Sequence, residues 1–307
     1  MTRAALLRVW VRFCAIEAPT LALLILCYAA WGLGTIWVAQ LWLPLGMVLV
    51  VLSTALHSSL SHEALHGHPT HVPWLDTALV FPALSVVVPY LRFRDTHLAH
   101  HRDAILTDPY DDPESNYLDP AVWVRQPHWF RFLLSVNNRL AGRLVLGPLL
   151  GTIAFVRSDL MLAMRGDRAV IRGWLWHIPA LGLVLWWMLA VAQMPLWAWG
   201  LSVYLALSIL KIRTFLEHQA HVRARGRTVV IEDRGPLALL FLNNNLHVVH
   251  HMHPRVAWYR LPALYFNNRI RYLSRNDGYV YHSYGQIFAR YFWRAKDPVP
   301  HPLWSKP

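Results

Sequence analysis

The chain has 307 residues, 55% of them hydrophobic and only 15% charged, and its mean hydropathy is +0.29. That balance excludes a disordered chain and an ordinary soluble domain, and predicts an all-α integral membrane protein. The formal charge of +12 is carried mostly by arginine. In so apolar a chain it marks the cytoplasmic side of a membrane, and no nucleic-acid partner is expected. Cys14 and Cys27, the two cysteines, form no CxxC pair, so sulfur offers neither a structural zinc site nor a redox dithiol.

A spanning helix needs about 20 apolar residues. Residues 1–12 hold three arginines but no small-residue cleavage site follows, which argues against a cleavable signal peptide. Residues 15–37 and 41–60 are predicted as the first two spans. Weaker segments around 73–90 and 146–155 are proline-broken or flanked by arginines and read as interfacial or re-entrant pieces. Residues 174–192 and 196–212 are predicted as the third and fourth spans. The expected fold is therefore a single domain, 1–307, with four transmembrane helices in two hairpins, interfacial helices and a histidine-rich cap. The proline-rich end (Pro298, Pro300, Pro302) reads as a loose tail.

Charge placement orients these spans. The connections near residues 39–40 and 193–194 contain no Lys or Arg. Every Lys and Arg lies before the first span, between the second and third, or from Lys211 onward. The positive-inside rule then puts regions 1–14, 61–173 and 213–307, and both termini, in the cytoplasm, at the inner membrane if the source is bacterial.

Histidines gather on that side. His62 and His66 stand in HEALH, His97, His100 and His101 in THLAHH, and His218 and His221 in EHQAH. His247, His250 and His251 stand in NNNLHVVHHMHP. Residues three and four apart share a helix face, so each cluster can act as one patch. Neutral imidazole suits zinc, copper, iron and nickel. The three patches plus His218 exceed the three or four ligands that one zinc takes, which argues for two metals. Glu63, Asp95, Glu217 and Asn244 lie where they could orient imidazoles. The single histidines His71, His128, His177, His282 and His301 read as interfacial. His57, His68, His221 and His253 stay ambiguous.

HEALH, HLAHH and HVVHH in this order, with DPYDDPES after the second box and an EH-bearing segment before the third, resemble the membrane fatty acid desaturase superfamily. Its relatives include alkane hydroxylases and carotenoid ketolases and hydroxylases. The resemblance implies a di-iron site held by His62, His66, His97, His100, His101, His218, His247, His250 and His251, with His221 as an alternative to His218. The resemblance also implies a metal-bound water held by Asn244 or a neighbour. No catalytic residue beyond the metal ligands is expected.

The resemblance further implies a dioxygen-dependent oxidoreductase acting on an unactivated C–H bond of a lipid acyl chain, by desaturation or, alternatively, as a lipid, alkane or carotenoid hydroxylase or ketolase. The sequence holds no GxGxxG after a strand, no CxxC pair and no HPGG haem signature, so a separate ferredoxin or cytochrome with its reductase is the implied electron donor. A second class of reading rests on His62-Glu63-Ala64-Leu65-His66, which matches the HExxH motif of zinc proteases. It leaves the other histidine clusters without a role.

Overall fold

The computed structural model describes residues 16–304. The expected cytoplasmic N-terminal segment and Cys14 lie outside these residues. The chain divides into two compact units, residues 1–94 with 160–206 and residues 95–159 with 207–307. Helices dominate both. Among the described residues five helical stretches are long and apolar enough to cross a membrane: Ala18–Leu41, Leu43–Leu65, Leu140–Met164, Arg168–Ala190 and Leu196–Thr214.

In the first unit, α1 (Ala18–Leu33) passes through a π-helical turn, Gly34–Val38, and returns as α2 (Leu43–Leu65). Prolines open both helices, where a missing N–H costs nothing. The hairpin closes tightly because Gly46 lies against the backbone of the opposing arm. A Cβ there would stand 2.8 Å from Ala39 Cα and 2.9 Å from Gly34 O. Small residues at such a crossing let backbones approach where no hydrophobic effect drives association. Hydrogen bonds lock the rest: Trp187 Nε1 donates to Thr35 Oγ1 at 3.0 Å, and the Gln193 and Met194 amides donate to Thr35 O. A short helix, α3 (Pro73–Leu79), follows α2, and the proline-rich residues to 89 are not helical. The helix is broken in the segment 73–90, where the sequence places prolines. The chain then enters the second unit within α4 (Tyr90–His100) and there forms α5 (Pro120–Arg125), α6 (His128–Asn137) and most of α7 (Leu140–Met164). Two further long helices complete the apolar set, α8 (Arg168–Ala190) and α9 (Leu196–Thr214). Asp167 caps α8, accepting from the Ala169 and Val170 amides.

Helix α7 lengthens the segment 146–155, which the sequence marked as an interfacial or re-entrant piece. It is a 25-residue helix that continues through Pro148. Of the charges that break the apolar run, Arg143 is 7% exposed and Asp159 2%, while Arg157 is exposed. The Arg143 guanidinium donates to Asn137 O and, at 2.6 Å, to Asn116 Oδ1. Its charge is answered within the protein, so it does not end the helix. The other predicted spans also lengthen, because helical hydrogen bonding outlasts the purely apolar window: α2 reaches Leu65 and α9 Thr214.

In the second unit, after α9, come β1 (Val230–Ile231), α10 (Pro236–Leu240), α11 (His247–Met252), α12 (Leu261–Asn267), α13 (Arg269–Arg275), β2 (Val280–Tyr281) and α14 (Tyr284–Tyr291). The two strands pair in parallel, Val230 opposite Val280. Around them Leu140, Phe215, Leu216, Ile231, Phe241, Ile287 and several tyrosines form a buried core. Buried tyrosines need partners for their hydroxyls: Tyr279 Oη donates to Leu216 O, and Tyr281 and Tyr291 bond each other at 2.7 Å. The proline-rich end is not a loose tail in the part described. Leu118 N–H donates to Val299 O at 3.0 Å and His301 N–H to Leu118 O at 2.8 Å, so backbone pairing holds it down.

Candidate metal centre

Helix α2 ends in the first histidine cluster. His62 and His66 stack one turn apart, ring centroids 5.0 Å apart and 75° between planes. Glu63 beside them is buried, its Oε1 3.8 Å from His62 Nδ1.

The second unit gathers seven more. His97 and His100 stand in the last turn of α4 and His101 directly follows. His218 lies four residues beyond α9, and its backbone bridges to Thr228. His247, His250 and His251 come from α11, whose position is fixed by backbone bonds such as Val248 N–H to Val229 O.

These seven fall into two groups. His100, His218, His247 and His251 bring one ring nitrogen each within 4.8 Å of one another. His218 Nε2 lies 2.8 Å from His100 Nε2 and 3.1 Å from His247 Nε2. In the other group His101 Nε2 lies 2.9 Å from His97 Nε2 and 3.1 Å from His250 Nε2.

The opposite edges of the rings explain why the Nε2 atoms converge. His100 Nδ1 is 2.7 Å from Asp112 Oδ1, and His97 Nδ1 is 2.9 Å from Glu114 Oε1. His247 Nδ1 is 3.1 Å from Asn244 Oδ1, and Asn244 Nδ2 donates in turn to Glu217 Oε1, which pairs with Arg213. An acceptor at Nδ1 keeps the proton there and leaves Nε2 as a bare lone pair. Bare lone pairs facing one another at about 3 Å repel, and a cation between them would relieve this; each of the two groups could hold one.

Without a metal, a proton fills that need. Burial works against charge on His100, yet the Glu114 and Asp112 carboxylates hold it up to about 9. Burial and the surrounding imidazoles push His218 and His247 well below the ordinary histidine value, so both stay neutral and able to ligate. A donor set of imidazole nitrogens backed by carboxylates and an amide fits a first-row transition metal.

Of the other residues singled out in the sequence, Glu217 and Asn244 reach His247 as described. Asp95 is half-buried on α4, while the carboxylate at His97 Nδ1 is Glu114. His221 is turned elsewhere, its Nδ1 3.1 Å from Arg223 O and 3.8 Å from Asp277. Asp112 and Glu114 were missed as partners of the imidazoles. Their signal was DPYDDPES itself, an acidic stretch beside the second box.

Two single histidines read as interfacial are buried instead: His177 Nε2 bonds Val86 O at 2.7 Å and His301 Nε2 bonds Thr107 Oγ1 at 3.2 Å. His128 and His282 are exposed, as expected. His57, left open, is buried and bonded to Tyr28 Oη at 3.1 Å.

No individual curated protein matches the chain. A family model described as fatty acid desaturase matches residues 37–285, from the π-helical turn after α1 to the start of α14, and takes in every histidine of the boxes. The apolar helices and the buried histidine groups agree with that match, and the chain belongs to the fatty acid desaturase family.

Proposed function

We propose that the protein is a membrane-bound di-iron oxidoreductase that uses dioxygen and two electrons to act on an unactivated C–H bond of a lipid, by desaturating a fatty acyl chain. The observation that carries this reading is the convergence of Nε2 atoms in the second unit, with the His97, His100 and His247 rings oriented from behind. One iron would be held by His100, His218, His247 and His251. The other would be held by His97, His101 and His250, to which the family resemblance adds His62 and His66. When bound, the two irons supply the redox change that dioxygen reduction and C–H cleavage require and that zinc cannot undergo.

The chain's own residues do the rest. Asp112, Glu114 and Asn244 hold protons at Nδ1 and so aim the Nε2 lone pairs. Arg213 and Glu217 fix Asn244. Burial of His97, His100, His247 and His250 keeps water from the ligands. Electrons come from a separate ferredoxin or cytochrome carrier with its reductase. Arginines on the same side would steer an acidic carrier by long-range attraction.

The boxes and both termini are proposed to be cytoplasmic. A parity argument supports part of this. His100 and His218 touch, so an even number of crossings separates them. Three apolar helices intervene, so two cross at most. Helices α8 and α9, joined by a short connection without Lys or Arg, are the natural pair. Helix α7, with Arg143 and Asp159 buried and Val145, Leu149 and Ile153 outward, would then lie against the membrane without crossing it.

Hydroxylation uses the same ligands and remains the second reading. Mass spectrometry of lipids from aerated cells with and without the protein tests both. New double bonds support desaturation and new hydroxyl or keto groups support the alternative. Unchanged lipids refute both.

A further inference from the structure

Beyond the boxes, the first unit holds a third group of metal-ligating side chains. Glu17 precedes α1, while His68 and His71 lie in the loop between α2 and α3. Glu17 Oε1 is 2.8 Å from His68 Nδ1 and 3.8 Å from His71 Nε2. The two rings meet edge to face with centroids 5.7 Å apart.

The backbone holds this geometry independently of the side chains. Glu17 N–H donates to Pro69 O at 3.0 Å and His71 N–H to Gly67 O at 3.0 Å. His71 itself is left-handed, φ 58°, a conformation that a residue other than glycine keeps only where its surroundings demand it.

Two buried polar atoms in the same unit have no hydrogen-bond partner. His68 is 1% exposed and its Nε2 has no hydrogen-bond partner. Asp76 is fully buried; its Oδ1 takes the Thr70 amide and hydroxyl, but Oδ2 has no partner.

We propose that Glu17, His68 and His71 form a metal site separate from the histidine boxes, which takes a zinc-class divalent cation through one carboxylate oxygen and two imidazole nitrogens. Tetrahedral zinc at its usual bond lengths sets donor atoms about 3.3 Å apart, between the two separations seen here. Binding at His68 Nδ1 would place that ring's proton on Nε2. Exposed His71 gives the ion its entry and leaves a fourth position to water. The site would tether the start of α1 to the loop after α2.

The test uses the full chain, purified in detergent and loaded with iron, then incubated with zinc and desalted. Metal analysis should find about one more zinc in the wild type than in Glu17→Gln or His71→Ala, as expected when a ligand is lost from a three-residue site. Cobalt in place of zinc should give the intense visible bands of a four-coordinate site in the wild type only. Because the readout is a difference between variants, zinc in the boxes instead of iron would raise all samples alike and would count against the proposed function, not against this site. Should His71→Ala lose its iron and its fold, Glu17→Gln decides, since it keeps a hydrogen bond to His68. Equal zinc in wild type and variants, or a wild type that takes none beyond the boxes, overturns the proposal.

Discussion

Asp112 Oδ1 accepts a hydrogen bond from His100 Nδ1 at 2.7 Å, while its Oδ2 accepts the Thr107 amide at 2.8 Å. One carboxylate thus fixes both the tautomer of the imidazole and the loop that carries the carboxylate. Asp112→Asn preserves the shape but can present an N–H to Nδ1 and turn the tautomer over. It should lower iron retention or product formation about 10–100-fold, the usual cost of losing an orienting partner. Iron analysis and lipid product assays on the purified variant check this; wild-type values in both would mean that Asp112 serves only the loop.

The count of metals is a separate expectation. Two imidazole groups that could each hold a cation lead to the expectation that protein from iron-replete cells contains about two irons per chain. One zinc with full activity and no iron would refute the di-iron reading. Activity has to accompany the count, because overexpressed protein can load the wrong metal.

His250→Ala and His251→Ala should each abolish lipid modification while the protein still inserts, since the apolar helices do not depend on them. Glu63→Gln separates oxygenase from protease. As the base of an HExxH protease Glu63 would be indispensable. As a buried neighbour of His62 its loss should cost about 10–100-fold. Product formation must also stop without dioxygen. Full activity in anaerobic membranes, or in His250→Ala, would show the boxes misread.

Topology can be read by cysteine labelling with a reagent that does not cross membranes. Gln40 and Gln193 are exposed at the two hairpin connections, and Arg255 is exposed just after the third box. Cysteines at 40 and 193 should label from outside, and one at 255 only after the membrane is opened. The reverse pattern would overturn the orientation drawn from arginine placement.

Stability should fall in acid through Glu232. Its carboxyl is held down to about 2, first by the Arg269 hydrogen bond at 2.5 Å and also by Tyr265 Oη at 2.7 Å, against a burial effect that raises it. An unfolded glutamate titrates near about 4.3. The native state therefore gains from this group above that pH and loses the gain as pH falls from there towards 2. Arg269 is 43% exposed, so the effect is modest. Unfolding temperatures in detergent between pH 5 and 3 should drop more steeply for the wild type than for Glu232→Gln. Parallel curves would assign the acid sensitivity elsewhere.

Local patterns were enough to establish an apolar helical chain, four of its long helices and the three histidine boxes. Each of those signals repeats over a few residues: a run that fills about 20 positions, or histidines three and four apart on one face. What lay beyond local pattern had to wait for tertiary contacts. Helix α7 looked interrupted until Arg143 found Asn116 and Asn137. His218 and His221 were equivalent in EHQAH until one met His100 and His247 and the other Arg223. Asp112 and Glu114 were only part of an acidic loop until the chain folded them behind His100 and His97. Such pairings join residues as far apart as His100 and His218. No periodicity encodes them, because they depend on how buried charges and lone pairs are satisfied once distant segments pack together.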